Sequence, residues 1–254
     1  MVDGRRFGGI ARLYGEQGAA RIAAAHVAVI GVGGVGSWAV EALARSSVGY
    51  LTLIDMDHVA ESNMNRQLPA MQDTLGRLKV DVLAERACQI NPRIAINAVD
   101  AFIDQENMAT LIRQDFDWVV DCIDSFRTKA ALIAYCRRRK QSVITTGAAG
   151  GQIDPTRIRV SDLRRTEQDA LLARTRRLLR QDFGFPTNPK RAFGIPAVWS
   201  DEPVRGSQGC EVQTDTSLNC AGYGACMPVT AGFGMAAAGY VLSRLAEGKS
   251  QALA

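Results

Sequence analysis

Short apolar runs such as Val27-Ala-Val-Ile30 and Leu51-Thr-Leu-Ile54 recur along the first 150 residues, separated by longer stretches of mixed apolar and polar residues. A short unbroken apolar run reads as a strand covered on both faces, and the stretches between are long enough for helices. Strands are predicted at 26–31, 50–55, 94–99, 117–121 and 142–146. Helices are predicted between them at 34–46, 76–90, 104–114 and 126–139, and Asn91-Pro92 is the stop signal of the second. This alternation predicts an α/β fold, a Rossmann-like, doubly wound, mostly parallel sheet that binds ligands beyond its strand ends. A strand at 157–161 and an arginine-rich helix at about 166–182 follow. Residues 184–217 are rich in proline and glycine with little periodicity, which predicts a mobile crossover loop.

One domain is expected over 1–254, with a nucleotide-binding core at 1–150 and a substrate-binding and dimerisation extension at 151–254. Residues 221–243 carry no charge and match the length of a membrane span. The segment is rich in Gly and Ala and only modestly apolar, so a buried helix on the sheet or at a dimer interface is the expected fate, with a membrane helix as the alternative.

The first two strands enclose a glycine turn, Gly31-Val-Gly33-Gly34-Val-Gly36. Gly31 permits the bend, Gly33 lets the backbone approach a phosphate, and Gly36 lets the next helix pack close to the strand. Free N–H groups from Gly34 onward would face the anion. Asp55 ends the second strand, where a ribose hydroxyl would sit. An NAD oxidoreductase would share these features but has no need of Arg66 and Lys79 downstream. Fixed cations suit a triphosphate and the pyrophosphate that leaves it. The plainer readings are a loop cap for Arg66 and a solvated helix face for Lys79. Asp121 and Asp124 also fall at a strand end. The turn Thr145-Thr-Gly-Ala-Ala-Gly-Gly151 is either a wall of the substrate site or a plain turn.

The chain has 254 residues, 47% of them hydrophobic, enough for one large α/β domain. Its six cysteines show no secretory spacing and no signal peptide is visible, which predicts reduced thiols and a cytoplasmic protein. No Cys-x-x-Cys pair is present, so no zinc is expected. Cys220, before the last helix, is the candidate reactive thiol, with a buried small side chain as the alternative. Net charge is +4, yet Arg157 to Arg191 holds ten basic and four acidic residues, and Arg137-Arg138-Arg139-Lys140 forms a second cluster. These are either solvated helix faces or the footprint of a polyanion such as RNA.

Gly31-x-Gly-Gly-x-Gly36, Asp55-Met-Asp57, Asn63-x-Asn-Arg-Gln67, Gly76-x-x-Lys79, Asn91-Pro92 and Asp121-Cys-Ile-Asp124 occur in the order found in E1-like adenylating enzymes. The chain resembles that family over residues 5 to about 150. The resemblance implies adenylation of a carboxylate by ATP with release of pyrophosphate. It places Gly31, Gly33, Gly34, Gly36, Asp55, Asp57, Asn63, Asn65, Arg66, Gln67, Lys79, Asp121 and Asp124 around ATP. Gly34 would touch phosphate, Asp55 the ribose, Arg66 and Lys79 the triphosphate, and Asp124 would hold magnesium. Arg12, with Arg6 as the alternative, would be donated to ATP by a neighbouring subunit.

Within that family, Arg6-Phe-Gly-Gly-Ile-Ala-Arg-Leu-Tyr-Gly15, Lys129-Ala-Ala-Leu-Ile-Ala-Tyr-Cys-Arg-Arg138 and Thr146-Gly-Ala-Ala-Gly-Gly-Gln-Ile-Asp-Pro155 are similar to bacterial tRNA threonylcarbamoyladenosine dehydratases. That resemblance spans nearly the whole chain and weakens between about 184 and 215. It implies a homodimer that cyclises the modified adenosine beside the tRNA anticodon. It also implies a sodium or potassium ion of unassigned position and a link to a cysteine desulfurase system. The rival readings are an activator of a ubiquitin-like sulfur carrier, an NAD oxidoreductase, and an RNA-binding or sulfur-relay adaptor with a vestigial ATP site.

Overall fold

The computed structural model describes residues 4–205 and 223–248. The five strands expected in the first 150 residues are β1 (His26–Ile30), β2 (Tyr50–Ile54), β3 (Ala95–Val99), β4 (Trp118–Asp121) and β5 (Val143–Thr146). With β6 (Ile158–Asp162) and β7 (Pro196–Ser200) they form one sheet in the order β3-β2-β1-β4-β5-β7-β6. Pairing is parallel except between β6 and β7. Strand order reverses at β1, which pairs with β2 on one side and β4 on the other. A crevice opens at such a reversal, beyond the C-terminal strand ends.

The unbroken apolar runs are explained by burial on both faces. Val27 and Val29 point into one hydrophobic cluster with Leu51, Leu53, Val120 and Phe233. Ala28 and Ile30 point into the other with Val119, Leu132, Ile133 and Leu172. Among the described residues seven helices cover the sheet: α1 (Gly4–Ala24), α2 (Gly36–Arg45), α3 (Lys79–Ile90), α4 (Met108–Leu111), α5 (Phe126–Arg138), α6 (Ala170–Asp182) and α7 (Met227–Glu247). The first cluster takes residues of α1, α2, α3 and α7, and the second takes residues of α4, α5 and α6. Burying side chains of Leu or Ile size contributes about 1.5–3 kcal/mol each, so two such layers hold the sheet from both sides.

Several expectations are corrected. The N-terminal helix α1 was not foreseen; four glycines between positions 8 and 18 weaken its pattern, and Gly15 kinks it at φ +75°. The helix expected at 104–114 shrinks to the single turn α4. Asp104 and Asn107 capture nearby backbone N–H groups there, which favours a turn over a helix. Helix α3 begins at Lys79, because Gly76 adopts φ +77° and Leu78 forms a bridge with His58.

The expected loop at 184–217 contains β7, wholly buried between β5 and β6. Its five residues, Pro196-Ala-Val-Trp-Ser200, are too short and too close to proline and glycine to stand out. Residues 206–217 of that loop lie outside the described residues. The last helix begins at Met227, and residues 221 and 222 of the expected span are likewise outside. Helix α7 lies against α2 and the sheet, with Phe233, Ala237 and Val241 fully buried. Among the described residues no helix is long and apolar enough to cross a membrane.

Asp162 anchors the segment leading to β7. It is buried and accepts hydrogen bonds from the N–H groups of Arg164, Phe193, Gly194 and Ile195 at 2.7–3.3 Å. Asp162→Ala leaves these donors unmatched and is expected to lower stability by about 2–4 kcal/mol in urea unfolding. A loss below about 0.5 kcal/mol would show that β7 is held by side-chain packing alone.

Candidate active site

A cleft of about 720 Å³ occupies the crevice at the ends of β1, β2 and β4. The glycine turn forms its floor. Gly31 adopts φ +80° and its N–H donates to the Ile54 carbonyl at 2.9 Å. A Cβ at Gly36 would lie 1.9 Å from the Gly31 carbonyl oxygen, so α2 can start only from a glycine here. Asp55 braces the turn: one carboxylate oxygen accepts from Val32 N–H at 2.7 Å and the other from Asp57 N–H at 2.8 Å. Burial pushes its carboxyl above the usual carboxylate range, against the lowering effect of those two N–H groups and of Lys79.

The cations come from the segment after β2. Arg66 donates to the Ser62 carbonyl at 2.8 Å and to Asn65 Oδ1 at 2.9 Å. Its side-chain carbons lie 3.5–3.6 Å from where a Cβ of Gly34 would stand, so the arginine rests on the glycine turn. Trp38 of α2 holds the Arg66 carbonyl at 2.9 Å. Lys79, the first residue of α3, is buried and its Nζ lies 2.8 Å from Asp57 Oδ2. The solvated-face reading of Lys79 is thereby overturned.

Asn63 closes its own turn by accepting from Ala60 N–H at 3.1 Å, and Asn65 donates to the Ala225 carbonyl at 2.8 Å. Gln67 is buried in the cleft wall beside Gly33, with its Oε1 unpartnered among the described residues. This open glycine cradle and the two cations fit a nucleotide polyphosphate, while the orphaned amide oxygen can accept only from a donor such as a hydroxyl or an amine. Asp124 also lines the cleft, at the end of β4. Phe102, Ile103, Ile54 and Met56 form its apolar side, of the kind a base requires.

Asp121 departs from its expected place beside the nucleotide. It is fully buried and pairs with Lys129 of α5 at 2.8 Å. Thr145 donates to the same oxygen at 2.7 Å, and the other accepts from Ile123 N–H at 3.1 Å. Its charge is satisfied internally, and it holds the chain that leads to Asp124. Lys129 was missed; its only sequence signal is a lysine within an apolar helix stripe.

The turn after β5 does wall the cleft, through Thr146, Gly147, Ala149 and Gly150. Asp169, also missed, caps α6 and reaches back to Ala148 N–H at 3.0 Å, and burial raises its carboxyl. Tyr223, Gly224, Ala225 and Thr230 close the far wall without any local sequence signal.

Arg12 is exposed on α1 and does not line the cleft of its own chain. Arg6 donates to the Ile90 carbonyl at the end of α3 at 3.1 Å. Cys220 lies outside the described residues. Cys122 lines the cleft, but burial pushes its thiol up to about 12, so it stays protonated near neutrality. No group of three or more His, Cys, Asp and Glu among the described residues could hold a metal ion.

The model of the ThiF family matches residues 8–251. The chain belongs to the ThiF family. It is 51% identical to the tRNA threonylcarbamoyladenosine dehydratase of Haemophilus influenzae, over 97% of this chain and 95% of that protein. It is 39% identical to the molybdopterin-synthase adenylyltransferase of Escherichia coli, over only 48% of this chain and 49% of that protein. The crystal structure of the E. coli tRNA N6-threonylcarbamoyladenosine dehydratase in complex with ATP superposes with a TM-score of 0.87. It has 47% sequence identity and covers 95% of this chain and 94% of that one. The E1-like fold is a feature of this ThiF family member.

Lys129→Met leaves Asp121 buried without its partner and is expected to cost about 3–5 kcal/mol. Replacing both, as Asp121→Leu with Lys129→Met, should cost less than the sum of the single changes in thermal or urea unfolding. Additive losses would show that the two charges are not coupled.

Proposed function

We propose that this chain is an ATP-dependent dehydratase that closes N6-threonylcarbamoyladenosine at position 37 of tRNA to its cyclic form by adenylating the threonine carboxylate. The observation that carries the reading is the joining of Arg66, Lys79 and Asp124 around an open glycine turn, in a chain nearly half identical, over almost its full length, to a dehydratase crystallised with ATP.

The chemistry follows from the residues. The glycine turn receives the phosphates, and Arg66 and Lys79 offset negative charge as pyrophosphate leaves. Asp57 aims the Lys79 ammonium. Asp124 would hold magnesium through the triphosphate, and that ion supplies further charge neutralisation at the phosphates. The substrate carboxylate oxygen bonds to the α-phosphorus, and the bond to pyrophosphate breaks. The neighbouring carbamoyl group then attacks the activated carbonyl and gives up an N–H proton to solvent, and AMP leaves with the oxygen taken from the carboxylate. Proximity within the substrate makes an enzyme nucleophile unnecessary. His26 begins β1 at the opposite end of the sheet and His58 does not line the cleft, in keeping with this route.

The finer assignments belong to the same reading. Asp55 contacts the ribose, and Asn63, Asn65 and Gln67 shape the phosphate wall. Residues 1–150 supply the nucleotide core and 151–254 the substrate side, within one domain, since β6 and β7 extend the same sheet and residues 223–230 return to the cleft. The chain works as a cytoplasmic homodimer in which Arg12 reaches the partner's ATP. A sodium or potassium ion, a cysteine desulfurase system and the thiol of Cys220 are further elements of the reading. The basic tract faces the anticodon arm.

Incubation with ATP, magnesium and tRNA bearing the modified adenosine should remove one water from that nucleoside, read by nucleoside mass spectrometry. Lys79→Ala and Arg66→Ala should each slow this conversion by about 10²–10³-fold. An unchanged nucleoside with verified tRNA would direct attention to a protein carboxylate as substrate. The exposed position of Arg12 gives a second expectation. Mixing inactive Arg12→Ala with inactive Lys79→Ala, after subunit exchange, should restore activity to about a quarter of wild type, because mixed dimers then hold one intact site. No restoration would place Arg12 outside the partner's site.

A further inference from the structure

Much of the basic tract is engaged within the protein. Arg157 donates to Asp201 at 2.6 Å, and Arg159 lies 3.1 Å from the same carboxylate. Arg137 lies 4.3 Å over the Phe185 ring and Arg180 lies 5.2 Å over Phe193. Arg176 is half-buried and bonded to Thr166, and burial lowers its pKa.

Two other arginines are arranged differently. Arg127 of α5 and Arg174 of α6 converge on one aromatic ring, 5.3 and 5.6 Å from the centroid of Phe126. Both are exposed, and among the described residues neither is paired with a carboxylate. Phe126 opens α5 two residues after Asp124 of the cleft, and Leu171, three residues before Arg174, is itself in the cleft wall. The pair therefore lies on the two helices that lead away from the cleft wall, next to its lining residues Asp124 and Leu171. Two guanidinium groups held over one ring repel each other, and the ring face offsets only part of that repulsion. An anion bridging them would convert the repulsion into attraction.

We infer that Phe126, Arg127 and Arg174 form a clamp for the tRNA phosphodiester that flanks the reacting nucleoside. This rests on the tRNA reading above and deepens it by naming where the RNA backbone is gripped. Planar guanidinium groups suit a phosphate, and the ring they share holds the two close together. The clamp would hold the nucleotide next to the modified adenosine while the threonine carboxylate extends inward to the glycine turn.

The test is the double variant Arg127→Ala with Arg174→Ala, assayed by nucleoside mass spectrometry over a range of tRNA and salt concentrations. ATP affinity is measured in parallel by calorimetry. The apparent KM for tRNA should rise about tenfold or more, and its logarithmic dependence on salt should become shallower by about one, as for the loss of one phosphate contact. The Kd for ATP should stay at the wild-type value, which also certifies the fold of the cleft. Arg127→Lys with Arg174→Lys should restore the salt slope, since charge is retained, but only part of the lost tRNA affinity, since an ammonium lacks the planar fork. An unchanged KM and salt slope, with wild-type enzyme converting the tRNA, would overturn the clamp. An equal weakening of ATP binding would also overturn it and place the pair at the triphosphate. If wild-type enzyme leaves the tRNA unconverted, the reading beneath falls, and the clamp with it.

Discussion

Asp55 and the contact between Gly31 and Gly36 bind three elements into one ligand floor. The carboxylate at the end of β2 accepts the N–H of Val32, within the turn that ends β1, while also fixing Asp57. The absent side chain at Gly36 lets α2 begin against the Gly31 carbonyl. Any Cβ there would meet that oxygen at 1.9 Å, so the helix would have to move away and carry its free N–H groups with it. Arg66 can lie on the turn, and Lys79 can donate to Asp57, only because this floor is where it is.

Two lysine–aspartate pairs of the same 2.8 Å length serve different ends. Lys129 and Asp121 are both fully buried, and Thr145 and the Ile123 N–H complete the coordination of the carboxylate. Burying two charges costs several kcal/mol each before their attraction is counted, and such a pair is better understood as fixing a geometry than as adding stability. The geometry fixed here is the path of the chain from β4 to Asp124. Lys79 is just as enclosed, but its partner Asp57 is open to the cleft, with 66% of its side chain exposed. That ammonium can turn part of its field towards a bound phosphate without leaving its acid. The same strand-end region thus separates a cation that shapes the site from one that meets the ligand.

The parallel core was legible because its strands are buried on both faces and therefore appear as unbroken apolar runs, each followed by a helix. The glycine turn, Asp55, Arg66 and Lys79 were legible because their spacing along the chain is local. What escaped depends on long-range placement. Strand β7 is recognisable only once β5 and β6 leave a gap for it, and Lys129 only once Asp121 is known to face it. Tyr223 to Ala225 reach the cleft because α7 packs on α2, a contact between segments nearly 200 residues apart in the chain. Helix 104–114 failed for a local reason, since Asp104 and Asn107 offer the backbone better partners than a helix would.

If the cleft works by adenylation, an oxygen must pass from the substrate carboxylate to AMP. Threonylcarbamoyl adenosine labelled with ¹⁸O in the threonine carboxylate, within tRNA, reports this in a single turnover read by mass spectrometry of the nucleotide product. One ¹⁸O in the AMP phosphate is the expected result. Unlabelled AMP, or ADP as the product, would mean that ATP activates the reaction at another atom and would contradict the assignment of Arg66 and Lys79 to pyrophosphate departure.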